Sequence, residues 1–206
     1  MEFKKEKEKY VSTLKENIEE EKIDKSKKGF IDEKILDLVN FINSIPDYYT
    51  TSSCSGRIII MGKSLTGIKK DTIWYLATHD YIKNLKLEDG IFKKMIQNKN
   101  IGIIKQESAI LHICANTIEN AQKMLDIAKF VGFKHSGIMA TNKRIMIEIM
   151  ATERMDIPIY DGKNEKIFLS QEYLDFIIEQ ANSSMKKSIN KINKYLNKLK
   201  EEFINI

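Results

Sequence analysis

The sequence predicts an α+β fold: an antiparallel, strand-rich centre with interspersed helices, flanked by N-terminal helices and a long C-terminal helix. Three observations predict it. Between residues 48 and 150, runs of β-branched and aromatic residues follow one another with connections of only a few residues, too short for parallel crossovers. The two ends of the chain carry helical apolar periodicity instead. There is no GxGxxG and no GxxxxGK[ST] pattern, so a Rossmann architecture is not expected.

The elements follow in order. Tyr10, Leu14 and Ile18 recur every four residues and predict a helix over 2–23. A second helix starts at Asp32, a residue type that caps helices. It turns Ile35, Leu38, Val39 and Ile42 to one side and ends before Pro46. Strands are expected at 48–53 and 57–61, with Cys54-Ser55-Gly56 as a turn or bulge between them, and at 72–78. A helix over 88–97 precedes strands at 101–106 and 109–115. Thr117 caps a helix over 117–131 that Gly132 ends. Strands at 135–140 and 144–150 are joined by 141–143. The last helix begins after Ser170. Its seam runs Ile178, Ala181, Met185, Ile189, Ile192, Leu196, Leu199, Phe203, nearly a coiled-coil spacing, so it packs on the body, on the first helix or on a partner chain.

A length of 206 residues suits one domain over 1–206, divided into an N-terminal helix (1–23), an α+β body (24–170) and a C-terminal helix (171–206). Two Pro and nine Gly exclude collagen-like and Pro/Gly-rich disordered classes, and two Cys exclude a disulfide scaffold or a four-thiolate zinc site. No apolar run spans a membrane and the N-terminus is charged, so the expectation is a soluble, cytoplasmic protein without membrane association. The net charge of +5 is concentrated at the end of the chain, where 183–206 carry six Lys and two Glu. Such a tail suits phosphate contacts, or is simply a solvated helix face. Only three of the 34 basic residues are arginines: Arg57, Arg144 and Arg154.

The densest polar cluster is Thr50-Thr51-Ser52-Ser53-Cys54-Ser55-Gly56-Arg57, hydroxyls followed by a Gly and an Arg with no acid among them. Glycine admits close backbone approach, free N–H groups bind carboxylate or phosphate, and the guanidinium forks onto either. The same residues also suit a Ser/Thr-rich hairpin with an ordinary salt bridge. Cys54 is either a nucleophile or a small packed residue; Cys114, inside an apolar run, belongs to the core. His79, His112 and His135 share no close ligand spacing, and no metal is expected. His79-Asp80 ends a strand, where side chains reach sites. His112 alternates with Leu111 and Ile113, and Ser136-Gly137 is a second close-approach point or a packing glycine. Trp74 is a core residue or a stacking platform; Arg144 is an exposed strand charge or a phosphate contact.

Several of these residues carry a family resemblance. They are Asp24-x-Ser26-x-Lys28-Gly29 with Asp32; Tyr49-Thr50-Thr51-Ser52-Ser53-Cys54-Ser55-Gly56-Arg57-Ile58; Trp74 and His79; Glu107, Leu111-His112 and Cys114; Gly132-Phe133 with Ser136-Gly137-Ile138; and Pro158 and Glu172-Tyr173. Over about 20–182 the sequence resembles the wybutosine-synthesising tRNA methyltransferases. Glu153-Arg154 departs from that pattern and inherits no role.

The resemblance implies S-adenosylmethionine as methyl donor, without a Rossmann fold. The acceptor it implies is N4 of the tricyclic wyosine-type base at position 37, in the anticodon loop of phenylalanine tRNA. On that basis His79 is expected as general base with Asp80 assisting. Ser52, Ser53, Ser55, Gly56 and Arg57, with Ser136 and Gly137, are expected to hold the donor. Lys25, Ser26, Lys28, Tyr49, Trp74, His112 and Arg144 are expected to contact the substrate. Two readings of other classes stay open: a non-catalytic tRNA-binding module, and a small-molecule enzyme using Cys54. The oligomeric state is left open by the last helix.

Overall fold

A computed structural model describes residues 2–19, 31–66 and 71–204. The element order is α1 (Glu2–Glu19), α2 (Glu33–Ser44), β1 (Tyr48–Cys54), β2 (Arg57–Lys63), β3 (Ile73–Thr78), α3 (Gly90–Gln97), β4 (Ile101–Glu107), β5 (Ile110–Ala115), α4 (Ile118–Phe130), β6 (Gly137–Ala140), β7 (Ile145–Met150), β8 (Met155–Asp161), β9 (Lys166–Ile167) and α5 (Gln171–Ile204). The α+β class and its antiparallel strands match the expectation, and nothing Rossmann-like occurs among the described residues.

The chain forms two compact units, each assembled from separated stretches. The first comprises residues 1–55, 109–152 and 188–206, with a four-stranded sheet in the order β1-β5-β7-β6. One face of this sheet presents Leu111 and Ile113 from β5 and Ile147 and Ile149 from β7. These pack with Ile35, Leu38, Val39 and Ile42 of α2, with Ala121, Met124, Leu125 and Ala128 of α4, and with Ile192, Tyr195 and Leu199 of α5. Burying each large side chain contributes about 1.5–3 kcal/mol. The Thr117 hydroxyl accepts from Asn120 N–H at 3.1 Å to cap α4. Gly132 ends that helix at φ +106°, a conformation that side chains disfavour.

The second unit comprises residues 56–108 and 153–187, with a five-stranded sheet in the order β3-β2-β4-β8-β9. Ile60, Ile104, Phe92, Met95, Ile159, Tyr160, Leu174, Ile177 and Ile178 form its core. The early part of α5 is anchored by Asn182, which exchanges two hydrogen bonds with the Ile82 backbone at 3.0 and 2.8 Å.

Four expectations need correction. The run 48–61 is not a hairpin, because β1 pairs with β5 whereas β2 pairs with β3 and β4. Gly56, at φ +100°, turns the chain between the two sheets. The neighbouring pair β4 and β5 separates in the same way, while β6 and β7 do form the expected hairpin. Asp32 precedes α2 but makes no side-chain cap. The strand β8 was not foreseen: its Pro158 argues against a strand interior, and the protein accommodates it beside a register shift between Gly102 and Ile103. In α5 the buried positions include Ser188 and Tyr195, while Ile189 is only half-buried. The helix is long because its early turns fill one core and its late turns another.

Candidate functional site

In the first unit, strand register lines up four residues across the sheet. Ser52 of β1 lies opposite His112 of β5, His112 opposite Glu148 of β7, and Glu148 opposite Gly137 of β6. Alternation explains the row. Leu111 and Ile113 point into the core, so His112 faces the other way, and Ile147 and Ile149 do the same for Glu148. The irregularity between Thr50 and Ser52 shifts the β1 register so that Ser52 meets His112. Ser52 Oγ lies 2.6 Å from His112 Nδ1, and His112 Nε2 lies 3.0 Å from Glu148 Oε2. Ser52 is exposed, and the His112 and Glu148 side chains keep 26% and 27% exposure. A Cβ built on Gly137 would meet nothing within 4 Å, so this glycine is open rather than packed.

Ser53 is half-buried and pairs with Leu111. Ser55 is buried; its N–H donates to Asp32 Oδ2 at 2.7 Å, and its Oγ has no hydrogen-bond partner among the described residues. Ser136 has a structural role, because its hydroxyl donates to Phe133 O at 2.8 Å and accepts from Met150 N–H at 3.2 Å.

Two expected substrate contacts in this unit are corrected. Tyr49 is fully buried between Phe3 and Tyr10, and its hydroxyl donates to Glu6 at 2.9 Å. No ring face is left for a base to stack on. Burial, with Cys114 and Glu6 nearby, pushes its phenol well above the ordinary range. Arg144 spends its fork on Glu6, with contacts of 2.8 and 3.1 Å, and on the Tyr10 hydroxyl at 2.9 Å. It fastens α1 to the sheet. The Arg144 hydrogen bond outweighs burial and holds the Glu6 carboxyl below its usual range. Cys114 is core as expected, its thiol pushed up by burial.

In the second unit, Arg57 Nε donates to Glu107 Oε2 at 2.6 Å, and its guanidinium carbon lies 4.9 Å from the centre of the Trp74 ring. Trp74 is 48% exposed, so one apolar plane remains presented beside a cation. Burial disfavours a charged Glu107, yet Arg57 and Lys105 outweigh it and lower its carboxyl. His79 Nδ1 lies 2.9 Å from the Gly56 carbonyl. A carbonyl only accepts, so Nδ1 carries the proton and a neutral imidazole has its lone pair on Nε2. Asp80 donates its backbone N–H to Thr78 Oγ1 at 3.0 Å.

The fold thus brings Ser52, His112 and Gly137 together in one unit, and Gly56 with His79 and Arg57 with Trp74 in the other. Lys25, Ser26 and Lys28 lie outside the described residues. The residue that sequence reasoning missed is Glu148. Its signal was a single charge in the apolar run Ile145–Met150, at the alternation that pairs with His112.

A family model described as Methyltransferase TYW3 matches residues 5–201. The chain belongs to the TYW3 methyltransferase family. TYW3-family membership makes it an enzyme, a methyltransferase. A relative from Thermococcus sibiricus is 38% identical over 175 residues, covering 83% of this chain and 85% of its own. It is named a tRNA(Phe) 7-((3-amino-3-carboxypropyl)-4-demethylwyosine(37)-N(4))-methyltransferase. A Pyrococcus horikoshii relative with the same activity in its name, numbered 1, is 38% identical over 174 residues, covering 84% and 86% of the two chains. The solved structure of the PH1069 protein from Pyrococcus horikoshii matches with a TM-score of 0.80 at 32% identity, covering 96% of this chain and 95% of that one. This TYW3-family fold therefore agrees with the resemblance drawn from the Thr50–Arg57 cluster.

Proposed function

We propose that this enzyme methylates N4 of the tricyclic wyosine-type base at position 37 of phenylalanine tRNA, in the anticodon loop, using S-adenosylmethionine in the cytoplasm. The observation that carries this reading is the family match over residues 5–201, joined to relatives named for that reaction. No described helix is long and apolar enough to cross a membrane.

The residues present fit the donor. Its α-carboxylate needs hydrogen-bond donors, and its adenosine needs room against backbone. Ser55 offers a buried hydroxyl without a partner among the described residues, and Gly137 has open space where a side chain would stand. Ser52 and Ser53 supply further polar groups in the same unit, and Gly56 and Arg57 are donor contacts that the family resemblance implies. Ser136, next to Gly137 in the chain, is proposed to line the same site, its hydroxyl bonded to Phe133 O. When bound, the donor supplies an electrophilic methyl group on a sulfonium. The protein's part is to align that methyl with the acceptor nitrogen and exclude water.

A loop base is already unpaired, so drawing it into a site costs less than flipping one from a duplex. The exposed face of Trp74 supports stacking on that base, and His79 with Asp80 is proposed to contact it. Lys25, Ser26 and Lys28 remain proposed tRNA contacts. Incubation of purified protein with donor and tRNA carrying unmethylated tricyclic precursors, followed by nucleoside mass spectrometry, tests the reading. A gain of one methyl on one precursor is expected; no gain on any of them overturns it.

A further inference from the structure

We propose that the Ser52–His112–Glu148 row is a proton relay that takes the proton released at the acceptor nitrogen, with Ser52 Oγ as the contacting atom. The proposal rests on the methyl-transfer reading above and names the route that reading leaves open.

The direction of the row follows from what each group can do. Glu148 as a carboxylate accepts, so the hydrogen bond at 3.0 Å places a proton on His112 Nε2. The lone pair of the neutral ring is then on Nδ1, which accepts the Ser52 O–H at 2.6 Å. With its own proton committed inward, Ser52 presents oxygen lone pairs outward from an exposed position. It is therefore an acceptor aimed at a ligand N–H, with an imidazole and a carboxylate behind it. The open space at Gly137, opposite Glu148, leaves the end of the row accessible.

The step balances. The acceptor nitrogen forms its bond to the methyl carbon while the carbon–sulfur bond breaks and leaves its electron pair on sulfur as a thioether. The N–H proton passes to Ser52 Oγ as the Ser52 proton passes to His112 Nδ1. The resulting imidazolium is paired with Glu148, and the proton later leaves to solvent by the reverse path. Among the described residues, the titratable and charged groups on this sheet face include Tyr49 and Cys54 from β1, with Asp32 beside Cys54, Cys114 on β5 itself, Glu148, and the Arg144 cluster with Glu6 and Tyr10 from α1.

Two measurements test the relay. Imidazole nitrogen NMR of the protein alone, read at neutral to mildly alkaline pH, is expected to show His112 protonated on Nε2; a proton on Nδ1 overturns the proposal. Single-turnover methyl transfer is then followed against pH at saturating donor and tRNA. At saturating donor, His112→Gln and Ser52→Ala are each expected to slow transfer roughly 100-fold or more, the scale of a lost general base. Glu148→Gln is expected to slow transfer as well, because the carboxylate that accepts from His112 Nε2 is gone. Ser52 is exposed, so Ser52→Ala reports on chemistry even where His112→Gln perturbs folding. Rates within a few-fold of wild type for Ser52→Ala, or a loss of transfer in His79→Ala with His112→Gln near wild type, overturn the relay while leaving the methyl-transfer reading intact. Absence of transfer by the wild-type enzyme on every precursor overturns both.

Discussion

The Asp32 carboxylate accepts the Ser55 backbone N–H at 2.7 Å, tying the start of α2 to the residue that follows β1, 23 positions along the chain. Asp32 stands where a helix cap belongs but spends its carboxylate on the serine–glycine turn instead. Both residues are buried, so losing this bond strands a donor away from water. Asp32→Ala is expected to cost about 1–3 kcal/mol in urea denaturation. Asp32→Asn, which keeps an acceptor, should cost less. Equal stability of all three proteins would show that the contact holds nothing.

Arg57 contacts both Glu107 and the face of Trp74. Arg57→Lys keeps the charge and loses the planar fork and the stacking. Donor affinity by calorimetry is expected to fall about tenfold with the fold intact. An unchanged affinity removes Arg57 from the donor site.

Trp74 presents nearly half its surface. Trp74→Ala is expected to weaken tRNA binding by about 1–3 kcal/mol, the scale of one base–aromatic stack. If tRNA affinity holds and the melting temperature drops instead, the ring serves packing.

Two glycines make opposite predictions. A Cβ at Gly162 would stand 2.0 Å from the Lys99 carbonyl oxygen, a backbone atom that cannot step aside. Gly162→Ala is expected to destabilise the protein by about 1–3 kcal/mol or more. At Gly137 a Cβ meets nothing, so Gly137→Ala should leave stability within about 0.5 kcal/mol and show its effect in ligand binding. A stability loss at Gly137 would return it to a packing role.

The Glu6–Arg144 pair sets a pH dependence. The hydrogen bond from Arg144 holds the Glu6 carboxyl below its ordinary value of 4.5. A lowered carboxyl stabilises the fold above the unfolded value, and that stability is lost as pH falls through the folded one. Wild type is expected to exceed Glu6→Gln by about 0.5–1 kcal/mol at neutral pH, since the pair is partly exposed. The gap should close below the ordinary carboxylate range. A gap that stays constant with pH would assign the effect to shape rather than charge.

Much of the protein follows from local chemistry alone. The sequence by itself determined the α+β class, the boundaries of most helices and strands, the Thr117 cap, the Gly132 stop and the core positions of α2 and α4, because each depends on residues a few positions apart. It also marked Ser52, His112 and Gly137 by type and pointed to the family through the Thr50–Arg57 cluster. The tertiary structure alone decided which strands pair. Period-two alternation says which face a residue takes but not which strand lies beside it, so β1 and β2 read as a hairpin although they enter different sheets. The same limit hid Glu148, whose partner is 36 residues away, and misread Tyr49 and Arg144, which meet a glutamate from α1. A side chain's charge and shape are local properties; the partner that uses them up is supplied by long-range packing.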